Sequence, residues 1–282
     1  MTQPPSATWR RIAFGLLPVA LLVALVASTG CRPEPRRDWA GLSAAAARAG
    51  DWHVAGRAWL ENPAAAEAHG RFPDYDRGRL DGWRHGDRLT LTRQEPDGLA
   101  ETVIVEGLQA RSFVVHHFIR FFDGRTEGTR FALAGPGELY DNWPVAALLV
   151  DAALGYPWLG PAGRPQPTAG PEPFPHRRAP TVWFRLTLRP DPLPGFSEYH
   201  GFRLGLSPRD GLVRTAVGAL RENPKDPRSD ILYRVVVFDR VTIRTIGSAE
   251  GLLPPAAAAA PWRDVATNQA ISPPRELIAP TP

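Results

Sequence analysis

The 282-residue chain has one cysteine, one methionine and one lysine. A single cysteine excludes an internal disulfide and every multi-cysteine zinc or iron–sulfur site, which leaves metal work to sparse histidines and carboxylates. Of the 33 basic residues only Lys225 is lysine and the other 32 are arginine. Beside abundant Ala, Gly and Pro, that bias fits GC-rich coding better than selection for phosphate, so the formal charge of +4 is a weak pointer to nucleic acid. Nucleophile elbows, phosphate loops, dinucleotide fingerprints and zinc-helix motifs are also missing: GPGELY and GSAEG carry glycines without the strand-to-helix context. Proline is what the chain has in excess, 31 residues, and it argues against a helical bundle because it removes a backbone donor and clashes in helix interiors. An apolar share of 43% still supplies a core for one large domain or two small ones.

The amino end predicts a location. Residues 12–30, IAFGLLPVALLVALVASTG, carry no charge and follow Arg10 and Arg11, the pattern of a secretory signal segment. An uncleaved anchor is the other reading, since about 18 apolar residues span a bilayer. Removal is favoured by Pro18 within the run and by the small residues Ala27, Ser28, Thr29 and Gly30 directly before Cys31. Ser-Thr-Gly-Cys resembles the lipobox of bacterial lipoproteins. That resemblance implies that residues 1–30 are a signal peptide and that Cys31 is diacylglycerol-modified and becomes the acylated mature amino terminus. In the sorted lipoproteins that this motif resembles, Asp after the cysteine implies inner-membrane retention, so the resemblance, with Arg32 there, implies the outer membrane rather than the inner. Loss of Arg10 and Arg11 lowers the charge from +4 to +2, and a nucleic-acid partner is not expected.

Residues 31–37 read as a tether and 38–251 as the folded domain. Asp38 is placed to cap a short helix with Trp39, Leu42, Ala45 and Ala46 at helical spacing, stopped by Gly50. Two-residue alternation predicts strands at 88–94, 101–108, 112–122 and 129–134, with a further one near 59–63. WPVAALLVDAALG at 143–155 predicts a helix with Pro144 in its first turn and Asp151 as its one charge. A proline-rich loop over 157–180 follows, then strands at 181–189, 201–206, 211–220 and 230–246. In the last, Ile231, Tyr233, Val235, Val237, Val241 and Ile243 are expected on one buried face, with Arg234, Arg240 and Arg244 on the wet one. The Ala- and Pro-biased stretch 252–282 is expected to be disordered. The expected class is therefore mainly β (α+β): a half-open antiparallel β-barrel or strongly curved sheet covered by one or two helices.

Candidate chemistry is thin. His116 and His117 are neighbours on a strand, so they point to opposite faces and cannot chelate one ion together. Glu198 and His200 share a strand face, with Asp210 not far along the chain, and form the best acid–base pair, the basis of a weaker hydrolase reading. The nine tryptophans are spread evenly, as packing residues are. No catalytic residue, cofactor or metal is expected, and the chain reads as a non-enzyme.

The run ending in ELYDNWPVAALLVDAAL, then LSPRDGLVRTAVGAL and ILYRVVVFDRVTI, resembles the lid helices and closing strands of the LolA/LolB-like superfamily of periplasmic lipoprotein carriers, across roughly residues 38–250. The resemblance implies a half-open barrel whose apolar face, under helices, holds acyl chains, and a role in outer-membrane lipoprotein sorting at the periplasmic side of the envelope. The positions that would line such a site are Leu89, Leu91, Phe113, Val115, Phe184, Leu186, Val235 and Val237 beneath Leu148, Leu149 and Leu154. A tight fit of the helix makes this space an ordinary core; a loose fit makes it a ligand cavity. The two expectations are a lipid-binding envelope lipoprotein and an interaction module with a solid core that docks an envelope protein.

Overall fold

The computed structural model describes residues 38–61, 78–109, 112–168, 181–186, 199–221 and 231–280. All of them belong to one compact unit, Arg37–Pro282. The described core lies within that unit, which thus carries what it needs to fold by itself. Cys31 and its flanking motif lie outside the described residues.

Asp38 accepts a hydrogen bond from the Gly41 amide at 2.5 Å and opens α1, Trp39–Ala47. A meander follows: β1 Trp52–Glu61, β2 Gly78–His85, β3 Arg88–Gln94, β4 Ala100–Glu106, β5 Phe113–Arg120 and β6 Thr126–Leu133. Three helices come next, α2 Pro136–Asn142, α3 Pro144–Ala153 and α4 Leu159–Gly163. Proline within the first two positions of α2 and α3 costs no hydrogen bond, because those amides have no helical partner. The chain then forms β7 Gln166–Thr168, β8 Val182–Leu186, β9 Tyr199–Leu206, β10 Val213–Arg221 and β11 Ile231–Ile243, and ends with β12 Trp262–Asp264 and β13 Gln269–Ile271.

All thirteen strands join one sheet, in the order β13-β12-β6-β5-β4-β3-β2-β1-β11-β10-β9-β8-β7. Every neighbouring pair is antiparallel except β12 with β6. The result is a large, open, curved sheet with β13 and β7 at its two edges, the mainly β architecture that the alternating strands predict. Its long return strand, β11, pairs with β1 and closes the meander onto the second set of strands.

The two faces are covered differently. On one, α1–α4 lie across the strands and share with them a single buried cluster running from Leu42 and Trp52 to Leu206 and Phe238. On the other, Ile104 and Phe118 pack with Leu253, Ala257, Ala260, Trp262 and Leu277.

That second layer corrects the expectation of a disordered tail over 252–282 for its described part, 252–280. The segment has no apolar period of its own, but Trp262 lies flat over Gly128, where an added Cβ would come within 2.3 Å of the indole. The Trp262 ring nitrogen donates to the Ala257 carbonyl at 2.9 Å. The partner surface belongs to distant strands, which local composition does not reveal. The proline-rich loop expected at 157–180 likewise contains α4 and β7 in its first part, and 169–180 lie outside the described residues.

Candidate functional site

The helix-covered face is the candidate site. Strands β3, β4 and β5 alternate, so Leu89, Leu91, Val103, Val105, Phe113 and Val115 project toward the helices. From the far half come Phe184, Leu186, Leu204 and Leu206. Lowered onto them is α3, every residue of which from Ala146 to Ala153 is buried. Gly82 on β2 makes this approach possible: a Cβ there would stand 2.8 Å from Val54 and 3.0 Å from the Leu149 side chain.

Eight of the predicted lining residues are brought together here: Leu89, Leu91, Phe113, Val115, Leu148, Leu149, Phe184 and Leu186; Leu154 packs at the margin. Val235 and Val237 are not. They form a separate cluster with Val217 on the opposite face, while Val236 and Phe238 take the inward positions. The cause is a bulge. Between Ala55 and Gly56 the partner on β11 jumps from Arg240 to Phe238, so Asp239 is the extra residue of the ladder. One extra residue inverts the side-chain alternation, so odd-numbered residues face outward before Asp239 and inward after it, as Val241 does. Counting in steps of two across residue 239 merges two faces into one, which the chain's letters do not betray.

At its centre the interface is filled. Leu89 and Val115 are 0% exposed, and Phe113 and Leu149 1%. A side chain with no accessible surface meets neither bulk solvent nor an internal void that would admit a water molecule.

The cover is held by one buried carboxylate. Asp151 accepts from the amides of Trp158 and Leu159, each at 3.0 Å, and from the Tyr140 hydroxyl at 3.1 Å, joining α2, α3 and α4. Burial pushes its carboxyl up to about 7, against the two amides and the hydroxyl, which pull it down. Burial likewise raises the Tyr140 hydroxyl well above the usual phenol range, with the charge of Asp151 adding to it. The Tyr156 hydroxyl donates to the Gly211 carbonyl at 2.9 Å, fastening the same cover to the turn between β9 and β10. Gly211 has a φ of +71°, and a Cβ on it would fall 1.9 Å from the Leu42 carbonyl oxygen, so α1 and this turn interlock only around glycine.

At the margin of the cover stands a polar group that the sequence reading did not assemble. His117 pairs with Glu101 at 2.9 Å, its ring lies 5.5 Å from Trp143, and Trp143 packs edge-on to Phe131 at 4.8 Å. Burial alone would raise the Glu101 carboxyl. The hydrogen bond and charge of His117, the charge of Arg93 and a hydrogen bond with Trp143 outweigh it and hold the group below its ordinary value. On the opposite face His116 pairs with Glu106 at 3.1 Å, beside Trp262. The two histidines thus diverge as adjacent strand residues must. Among the described residues no group of three or more His, Cys, Asp or Glu side chains is placed to hold a metal ion.

Glu198 lies outside the described residues, as does the side chain of His200. Asp210 is engaged locally, accepting from the Leu212 amide at 2.9 Å and from Arg214 at 2.7 Å. No helix among the described residues is long and apolar enough to cross a membrane.

No protein-family model matches the chain, and no curated protein matches it. Among solved structures it is similar to a LolA superfamily protein from Nitrosomonas europaea, at 12% identity and a TM-score of 0.30, over 73% of this chain and 94% of that one. It is similar also to a putative outer membrane lipoprotein-sorting protein domain from Vibrio parahaemolyticus, at 10% identity and a TM-score of 0.33, over 76% and 94%. A third likeness is to MucB, solved in complex with MucA, at 18% identity and a TM-score of 0.28, over 73% of this chain and 55% of that one. Likeness this distant carries no argument about the site, whose chemistry rests on its own residues.

Proposed function

We propose that the chain is a non-enzymatic, lipid-anchored envelope protein, tethered through Cys31, that works as a docking module built on a solid core. The observation that carries the second half of this reading is the filled contact between α3 and β3–β5, where Leu89 and Val115 are 0% exposed and Leu149 1%. The anchor rests on the lipobox-like Ser28-Thr29-Gly30-Cys31 and the uncharged run before it. The outer membrane is the favoured site because Arg32 follows the cysteine.

A second reading, carriage of lipid or lipoprotein acyl chains in outer-membrane sorting, is favoured by one feature. Helices α2–α4 form a unit gathered around Asp151, and lifting that unit would bare a broad apolar trough. Native mass spectrometry of the domain from residue 37, with a fluorescent fatty-acid titration, separates the two. The docking module emerges free of lipid and leaves the probe unbound; retained acyl chains would overturn it in favour of carriage. Radiolabelled palmitate tests the anchor, which requires incorporation into the full chain and none into Cys31→Ala.

A further inference from the structure

The face of the sheet opposite the helices carries an arrangement unrelated to the core. Where β1 meets β2, Arg57 stands directly across from Arg79; where β8 meets β9, Arg185 stands directly across from Arg203. Directly opposed residues of antiparallel strands share a face, and like charges so placed repel. Both pairs are on the outer face. Arg57 continues through Val237 to Thr215, Gly205 and Trp183, and Arg203 continues through Val217 to Val235, the valines being the small cluster that the bulge at Asp239 turns outward.

Two neighbouring rows therefore cross the strands with arginines at opposite ends and small or apolar residues, with the buried Thr215, between. Among the described residues Asp239 is the acid that answers them, and it is spent on Arg57, at 3.1 Å. Arg79, Arg185 and Arg203 have no acidic partner there, and Arg79 and Arg185 are exposed.

We propose that this outer face docks on an anionic lipid bilayer, with Arg79, Arg185 and Arg203 meeting the headgroups beside the Arg57–Asp239 pair. Repulsion built twice into one face is relieved by an outside anion, and the bilayer fits better than a single phosphate. From β1 to β9 is three strand spacings, about 14 Å, and from β2 to β8 five, about 24 Å, too wide for one small anion to bridge. Trp183, half-buried on the same face beside Arg185, is the kind of side chain that settles at a headgroup boundary. Docking here leaves the helix-covered core untouched. The inference rests on the anchored-envelope reading in one respect: a tether over 31–37 reaches at most about 25 Å, which keeps the domain within touching distance of the membrane.

The test uses the domain from residue 37, which lacks Cys31, so failure of the anchor and failure of the docking face are read apart. Co-sedimentation is measured with phosphatidylglycerol–phosphatidylcholine vesicles and with pure phosphatidylcholine. Binding to the anionic vesicles only, weakened by added salt, is expected. Arg185→Gln with Arg203→Gln should lower the partition coefficient about 30-fold, as two charges near an anionic surface imply, with an unchanged thermal midpoint. Arg263→Gln with Arg275→Gln, an equal loss of charge on the carboxyl-terminal segment, should leave binding in place. Equal binding to neutral vesicles, no binding at all, as an acidic protein partner would give, or an equal loss in both double variants overturns the proposal.

Discussion

The helix-covered face and the outer face of this sheet are made by the same strands and held by opposite means. Inward, a continuous apolar cluster spans the sheet, and the one charge inside it, Asp151, is satisfied by three donors. Outward, apolar packing comes in islands, Ile104 and Phe118 under the carboxyl-terminal segment and three valines on β10 and β11, separated by His53–Asp81, His116–Glu106 and the arginine pairs. A continuous core makes folding cooperative, whereas islands separated by polar groups can open one at a time. The inward face is where stability resides; the outward face, beyond the strands under the carboxyl-terminal segment, presents its arginines.

The largest expected effect tests the carboxyl buried inside the apolar cluster, Asp151. Asp151 keeps its proton up to about pH 7 in the folded chain but loses it near 4 when unfolded, so the folded state binds more protons between those values. The contribution of Asp151 to stability should therefore fall as pH rises from about 4 to about 7, by about 4 kcal/mol, and level off above. Chemical denaturation across that range checks it, and Asp151→Asn should flatten the slope; an unchanged slope in the variant would assign the effect elsewhere. Leu149→Ala comes next, at about 3 kcal/mol, felt as a lower midpoint for the whole domain because the cavity opens in the shared core. The smallest effect belongs to the outward island. Ile104→Val should cost about 1 kcal/mol. Hydrogen exchange should then quicken over residues 253–280 and not over α3, and a uniform rise would contradict the contrast between the faces.

Sequence periodicity foretold the sheet well where a strand alternates without interruption. RLTLTRQ is β3 to the residue, and PVAALLVDAA is α3. It failed at β2, GRLDGWRH, because the inward position at Gly82 is deliberately empty: Val54 and Leu149 occupy the space a side chain would need, so no apolar period is written there. It failed at Val235 and Val237 because a bulge is a property of two strands in register, and neither strand shows it alone. Asp151 was visible as the lone charge of an apolar helix, but its three donors sit on α2 and at the start of α4, both unforeseen elements. Glu101 and His117 are sixteen positions apart in sequence and meet diagonally across β4 and β5, a contact that exists only once register is fixed.

The carboxyl-terminal segment also has a mechanical side. Its two ends return to one point: the Leu253 amide donates to the Leu277 carbonyl at 2.7 Å, and the Ala279 amide donates to the Leu253 carbonyl at 2.9 Å. The stretch between them is thereby closed into a loop by a clasp on its own base. A pull on the chain end loads those two bonds before any tension reaches β12 or β13, so cargo or a fused domain hung from residue 282 would tug on the clasp and leave the sheet edge at rest.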